Sequence, residues 1–254
     1  MIKWQVEEHH MQRYFILANL NTDSTLQADP VMHKHMKQVM RYRNGDQVIC
    51  IDDQHQVALA TIADIEKGVL IKEKIIDEDN ELDVDVTLVY GLPKSDKFEF
   101  VLQKATELGV SRVVPFLCNR SVIKMDEVRF AKKQERFMRI VQEASEQSHR
   151  EKMPLITPLA KMKDLPQYLS DINLVAYEES SKQGEHRAFY QAIHGHKGSI
   201  TIIVGPEGGF DEKEVEDMKA MGIVACSLGK RILRSETAPL YMLSVIGYER
   251  ELVE

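Results

Sequence analysis

Ser199-Ile200-Thr201-Ile202-Ile203-Val204, followed at once by Gly205-Pro206-Glu207-Gly208-Gly209-Phe210, decides the fold. The first six residues are short, β-branched and apolar, which predicts a buried strand. The glycines and proline break that strand, and the charge density from Asp211 to Met221 predicts a surface helix. The order then recurs. Val224 to Leu228 predicts a second buried strand, Gly229 to Arg234 a loop, and a helix from about Ser235 runs to the C-terminus. Two glycine-bearing loops at the carboxyl ends of two strands of one sheet lie where an open α/β sheet binds a ligand. Glycine there lets the backbone approach the ligand and offer its own N–H and C=O groups.

The loops do not match the usual phosphate cradles. Gly205 to Gly209 lacks the Gly-Lys-Ser/Thr ending of a P-loop and the G-x-G-x-x-G spacing of a dinucleotide turn. Glu207 would repel a pyrophosphate, which favours a neutral or partly cationic ligand. The plainer alternative is a turn ahead of a helix, with Asp211 and Glu212 set against the helix dipole. Spacing alone leaves both open.

Working upstream, strands and helices alternate from Val84. Val84 to Leu92 reads as a strand, Lys94 to Leu108 as a helix, and Arg112 to Leu117 as a strand. Glu127 to Gln147 reads as one long amphipathic helix, Leu155-Ile156 as a short strand, Lys161 to Ser170 as a helix and Asn173 to Tyr177 as a strand. Gly184 to Gly198 reads as a loop. Such alternation implies an α/β fold, a parallel sheet with helices on both faces. The N-terminal part differs. Residues 13–18, 47–51, 57–63 and 69–76 read as short strands, with turns at 52–55 and 66–68. Between the first two, Met32, Met36, Val39 and Met40 make one apolar helix face, and His33, Lys37 and Arg41 make another. The expected division is residues 1–76, a small mostly-β domain with one basic helix, and residues 77–254, the α/β domain.

The formal net charge of −7 argues against nucleic acid at first, but whole-chain charge can hide a basic patch. Pro30 to Arg43 carries Lys34, Lys37, Arg41 and Arg43 with no acid, and Gly91 to Lys152 holds 13 Lys and Arg against 9 Asp and Glu. Cys50, Cys118 and Cys226 are scattered beside apolar runs, which predicts reduced, buried thiols rather than a disulfide framework. His149, His194 and His196 lack a third ligand at sensible spacing, so no metal is expected. No window approaches the roughly 18 apolar residues of a membrane span. Met1 to His10 lacks the apolar run of a signal peptide. A cytoplasmic protein is expected.

Gly205 to Phe210 together with Leu228-Gly229-Lys230-Arg231-Ile232-Leu233-Arg234-Ser235-Glu236-Thr237-Ala238 resembles the C-terminal signature of the RsmE family. These are SPOUT-class methyltransferases that use S-adenosylmethionine and act on N3 of a uridine in the 16S ribosomal RNA of the small subunit. The resemblance extends through Lys94 to Glu99, Gln103 to Val110, Glu146-Gln147-Ser148-His149-Arg150, and His35 to Arg41 with Gly45-Asp46. A glycine or another small residue is more usual where this chain has His149. The resemblance implies an N-terminal PUA-like RNA-binding β-barrel, then a SPOUT α/β domain with a C-terminal trefoil knot, and a homodimer. Knots are rare exceptions to chain topology. Here the crossings would fall near Gly205–Gly209 and Gly229–Arg234, so the knot itself would form the cofactor pocket.

N3 of neutral uracil carries a proton, so its methylation must favour the N3 anion and stabilise charge developing on O2 and O4. A positioned cation and a proton acceptor suffice, without a metal. Arg234 is the first candidate for the cation, a salt bridge to Glu236 or Glu207 being its plainer role. Glu207 can accept a proton or orient the cofactor's amino group; its plainer role is that of a turn carboxylate. Ser235 and Thr237 are expected to cap the last helix, with Pro239 in its first turn. The cofactor set is Val204, Gly205, Pro206, Glu207, Gly208 and Gly209 in one loop and Leu228, Gly229, Arg231, Ile232 and Leu233 in the other. Tyr177 and Glu178 join them from the same sheet edge. Leu228, Ile232 and Leu233 can line an adenine pocket or be plain core. Candidate RNA phosphate contacts are Arg13, Lys37, Arg41 and Arg43 in the first domain and Lys94, Lys97, Arg120 and Lys124 in the second. Core packing is the favoured use of Tyr14 and Tyr42 over base stacking. Two other functions compete: ribose 2′-O methylation on the same fold, and a non-catalytic RNA-binding assembly factor.

Overall fold

The computed structural model describes residues 11–121, 125–178 and 187–253. The chain divides into two compact units, Met1–Glu81 with Ser145–Lys152, and Leu82–Ala144 with Met153–Glu254. The short segment Ser145–Lys152 lies far beyond residue 76 in sequence yet belongs to the first unit.

In the first unit, β1 (Arg13–Phe15), β2 (Thr25–Gln27), β3 (Gln47–Ile51), β4 (Val57–Asp64) and β5 (Val69–Ile76) form one sheet in the order β1-β3-β4-β5-β2. β1 runs parallel to β3, and the other pairs are antiparallel. The three-residue β2 was too short to show a period. Tyr14, Leu26, Met36, Val48, Cys50, Ala60 and Leu70 fill the core beneath. Tyr14 is buried there, its hydroxyl 2.9 Å from His35 Nδ1. Burial pushes the Cys50 thiol up to about 12.

The basic helix begins as α1 (Pro30–Lys34). The Asp29 side chain caps it by accepting from Val31 N and Met32 N, and proline occupies the first turn. It then widens into a π turn, His35–Val39, in which Met40 N donates to His35 O at 3.0 Å. That turn upsets the expected apolar face. Met32 and Met36 are buried, but Val39 is 63% exposed and Met40 is exposed as well. The extra residue in the turn rotates everything after it.

The second unit holds a seven-stranded sheet in which every pair is parallel. Its strands are β6 (Val86–Gly91), β7 (Arg112–Leu117), β8 (Leu155–Ile156), β9 (Ala160–Lys161), β10 (Ile172–Ala176), β11 (Ile200–Val204) and β12 (Val224–Cys226). The order is β12-β10-β11-β6-β7-β8, with β9 also on β7. β11 is buried along its whole length. β12 is a shorter edge strand with Val224 exposed, so the fully buried run expected to Leu228 is corrected: among the described residues one of its flanks has no strand beside it.

Helices α2 (Ser95–Glu107), α4 (Gln134–Gln147), α5 (Ala188–Ile193) and α7 (Thr237–Glu251) contribute to one core, where Phe98, Leu102, Val141, Phe189 and Met242 meet Leu88, Tyr90 and Ile202. α6 (Glu212–Ala220) and a 3₁₀ helix, Met162–Tyr168, contribute to the other, over Val89, Val114 and Ile203. Leu88 and Val89 face opposite ways because strand side chains alternate. Three helix readings change. The expected helix 127–147 is broken into α3 (Glu127–Ala131) and α4 by a tight turn in which Lys133 N donates to Phe130 O. The expected helix 161–170 is instead a 3₁₀ helix over Met162–Tyr168, wound around Pro166, which has no N–H for an α-helical bond. Part of the expected loop 184–198 is α5. Among the described residues no helix is long and apolar enough to cross a membrane.

Candidate active site

β6 and β11 are neighbours in register, with Val204 beside Tyr90. From there the chain leaves β6 toward β7 on one side, while β11, β10 and β12 lie on the other. This is the topological switch point, where two loops diverge above the sheet. One residue beyond the Val204–Tyr90 pair lie Gly205 and Gly91. A Cβ on Gly91 would sit 2.5 Å from Pro206 Cδ and 2.6 Å from Pro206 N. The two loops therefore touch through backbone, and Gly91 is what permits it. Gly209 closes the 205–209 turn at φ +66°, donating its N–H to Pro206 O at 2.9 Å.

Three elements converge on this turn. Lys97, in the first turns of α2, places Nζ 3.0 Å from Glu236 Oε2 and 3.4 Å from Glu207 Oε1. Lys94 N also reaches Glu207 Oε1, at 3.4 Å. Ser235 Oγ donates to Glu236 Oε2 at 3.1 Å. Hydrogen bonding to Glu236, opposed by desolvation and aided by both carboxylates, holds the Lys97 ammonium above its ordinary value. Burial works to raise the Glu236 carboxyl, but hydrogen bonds from its own backbone, Lys97 and Ser235 outweigh it and hold it low. Beneath lies Tyr90, fully buried and stacked on Phe98. Its hydroxyl faces Ser235 but, among the described residues, completes no hydrogen bond of good geometry. Burial first, then the Glu236 and Glu207 charges, push its pKa up, against a smaller opposing pull from Ser235.

The loop after β7 grips the turn from elsewhere. Arg120 Nη1 donates to Gly208 O at 3.3 Å. Asn119 N donates to Glu214 Oε1 at 2.7 Å, and its side chain to Asp211 Oδ2 at 2.8 Å. Asp211 and Glu214 are the reciprocal capping pair that starts α6. Hydrogen bonds from Asn119 and from Glu214 N hold the Asp211 carboxyl below the ordinary aspartate value.

Residues 80–247 match the family model for an RNA methyltransferase domain, and residues 34–74 match that for an RNA methyltransferase PUA domain. The chain belongs to the RNA methyltransferase family. It is 41% identical over 255 residues to Ribosomal RNA small subunit methyltransferase E of Bacillus subtilis, spanning 96% of this chain and 98% of that protein. It is 30% identical to the protein of the same name from Mesomycoplasma hyopneumoniae, over 92% and 93% of the two chains. The crystal structure of a Ribosomal RNA small subunit methyltransferase E from Neisseria gonorrhoeae bound to S-adenosyl methionine superposes with a TM-score of 0.81. That match has 30% identity and covers 93% of this chain and 97% of the other.

Within the RNA methyltransferase domain, the sequence-predicted residues separate. Val204, Gly205 and Pro206 are buried at the end of β11, whereas Glu207 and Gly208 are exposed, with most of the Glu207 side chain covered. Leu228 and Leu233 pack partly on the core, whereas Ile232 is 78% exposed, so Ile232 is not core. Gly229 N donates to Ser227 Oγ, and Arg231 is exposed. Tyr177 N donates to Cys226 O, which ties the end of β10 to β12; Glu178 is exposed beside it. Arg234 is exposed and forms no ion pair among the described residues. The carboxylates it was weighed against are held by Lys97 instead. Ser235 and Thr237 do not cap α7; Glu236 occupies that position and makes no side-chain cap bond.

The basic residues also separate. Arg13 is 1% exposed and paired with Glu78 at 2.6 Å, so it is a buried structural cation and not a phosphate contact. Lys37 is paired with Glu66. Arg41, Arg43, Lys94 and Arg120 are exposed. Lys97 is engaged by the two glutamates, and Lys124 lies outside the described residues. Gly91, Tyr90 and Asn119 were not singled out in the sequence, and Glu236 was named only as a partner for Arg234. A glycine ending an apolar strand at residue 91 was the available signal. Among the described residues no group of three His, Cys, Asp or Glu side chains is placed to hold a metal.

Proposed function

We propose that the protein transfers a methyl group from S-adenosylmethionine to N3 of a uridine in the 16S ribosomal RNA of the small subunit. The observation that carries this is that Lys97 joins Glu207 of loop 205–209 to Glu236 at the end of loop 228–236, within an RNA methyltransferase domain. The relatives named above, and the S-adenosyl methionine bound by the gonococcal protein, support it.

The residues present fit such a cofactor. Gly209 and Gly229 are left-handed, and a Cβ at either would meet nothing within 4 Å, so in both loops backbone lies open to close approach by a ligand. Glu207 adds a carboxylate suited to a cationic ligand. When bound, S-adenosylmethionine supplies an electrophilic methyl group. Loops 205–209 and 228–233 would hold it by backbone groups, with Leu228 and Leu233 as an apolar wall. Glu207, already engaged by Lys97 and Lys94 N, is suited to orient an amino group. Arg234, with no ion-pair partner of its own among the described residues, is suited to meet charge developing on O2 or O4 of the base. Holding donor and acceptor in line supplies much of the acceleration.

The finer reading follows the same line. The C-terminal segment is threaded as a trefoil knot around these loops, and the PUA unit binds RNA through Arg41 and Arg43. The protein works in the cytoplasm as a homodimer. Exposed Tyr241 and Tyr248 on α7 support the dimer, as apolar surface a second copy would cover. A monomeric mass in light scattering would reject it. The decisive experiment is incubation with labelled S-adenosylmethionine and small subunits lacking the modification, then mapping of the methylated atom. Label on a ribose oxygen would favour 2′-O methylation. Cofactor and RNA binding without transfer would favour the assembly-factor reading.

A further inference from the structure

A map of charge alone assigns Lys97 to the RNA. The geometry points to a different role: we propose that Lys97 is a positioning residue, an ammonium that ties the methyl-donor loop to the start of α7 through Glu207 and Glu236. The proposal rests on the reading that loop 205–209 holds S-adenosylmethionine.

Among the described residues Lys97 Nζ is the contact shared by the two carboxylates, 3.4 Å from Glu207 and 3.0 Å from Glu236. The three side chains come from separate elements, and all are about three-quarters covered. Further donors reach the same oxygens, Lys94 N on Glu207 and Ser235 Oγ on Glu236, and Glu236 also accepts from its own backbone. Two carboxylates around one ammonium leave a single net negative charge. Without the ammonium they would repel each other across a site flanked by the buried Tyr90 hydroxyl. An ammonium so engaged has little left to offer a phosphate, and pulling it away would leave both carboxylates uncompensated.

The test measures S-adenosylmethionine affinity by calorimetry and the salt dependence of ribosomal RNA binding, in the full chain. Lys97→Met should weaken cofactor binding by about tenfold, as expected when one partner of a close charge cluster is removed. Lys97→Arg should retain most of the affinity. Lys97→Met with Glu236→Gln restores the single net negative charge and should recover part of the loss. A phosphate contact would instead flatten the RNA salt slope by about 0.7–0.9 on removal; the proposal expects no such change. Parent-like cofactor affinity in Lys97→Met, no recovery in the double variant, or a flattened salt slope would overturn it. If Lys97→Met does not fold, Glu236→Gln alone tests the same tie, and an unchanged cofactor affinity there overturns it too. Failure of the parent itself to bind the cofactor would instead reject the functional reading.

Discussion

Replacing Gly91 with alanine adds one carbon where two loops already touch. The new Cβ would lie 2.5 Å from Pro206 Cδ and 2.6 Å from Pro206 N. Ordinary carbon contacts are about 3.5 Å or more, so the donor loop must retreat by about 1 Å. Neither neighbour is a flexible side-chain end: one is backbone, and the other is a proline ring at the base of a short turn. Overpacking of this kind costs about 1–3 kcal/mol. A displacement of about 1 Å at a reacting centre costs on the order of 10²-fold in rate. Gly91→Ala should therefore lower the urea midpoint without changing the slope, and reduce single-turnover methyl transfer about 10²-fold under conditions where it is folded. Gly247, in α7, is the control, because its nearest neighbour would be 3.9 Å from an added Cβ. Gly247→Ala should be neutral or stabilise by up to about 1 kcal/mol through helix propensity. Parent-like stability and transfer in Gly91→Ala would show that the loops do not depend on that contact.

His149 follows α4 at φ +62°, the left-handed position where Arg150 N closes the helix end onto Ser145 O. Glycine there should stay within about 1 kcal/mol of the parent, while the β-branched His149→Val should cost about 1–2 kcal/mol by thermal denaturation; equal effects would refute the strain argument. In acid, the sign follows from Asp83, held low by Arg250, Asp171, held low by Ser199, and Asp211, held low by Asn119. Folded values below unfolded ones give stability that is present above about pH 4 and lost as pH falls through the depressed values; a denaturant midpoint that rises from pH 5 to pH 3 would contradict this. Arg41→Ala with Arg43→Ala should weaken RNA binding and flatten its salt slope by about 0.7–0.9 per lost contact. Arg234→Ala should instead lower single-turnover rate at saturating RNA and cofactor; near-normal turnover would remove Arg234 from the reacting base.

The parallel sheet was legible because β6, β7 and β11 are apolar runs punctuated by glycine and charge, and period is the strongest local signal. The position of both loops was legible for the same reason. What failed was decided by contacts remote in sequence. Arg13 is indistinguishable from a surface arginine until Glu78 is brought beside it. In sequence Lys97 looks like the exposed Lys94 one turn before it, and Glu207 and Glu236, far along the chain, reach it only in the fold. The π turn at His35–Val39 is a backbone choice that side-chain spacing does not announce. The capping pair at Asp211 and Glu214 was half visible: Asp211 was read, with Glu212, as an acid at the helix start, but Glu214 was not, and Asn119 comes from another strand end.

The membership of Ser145–Lys152 in the first unit has a consequence for the order of synthesis. Glu81 accepts from Arg150 Nη2 at 2.6 Å and from the backbone of Glu151 and Lys152, and Asn80 donates to Glu151 at 2.7 Å. A nascent chain that has just released Glu81 has made most of this unit's residues but none of these partners. At roughly 5–20 residues per second, about 4–14 s pass before Lys152 has been made. During that interval Glu81 is an acid waiting for its cation, while the strands of the second unit are emerging. Completion of the first unit is thus timed by translation of the second. Cutting the gene after the first unit's strands would leave a fragment whose last acidic residues have lost the partners that tie them down.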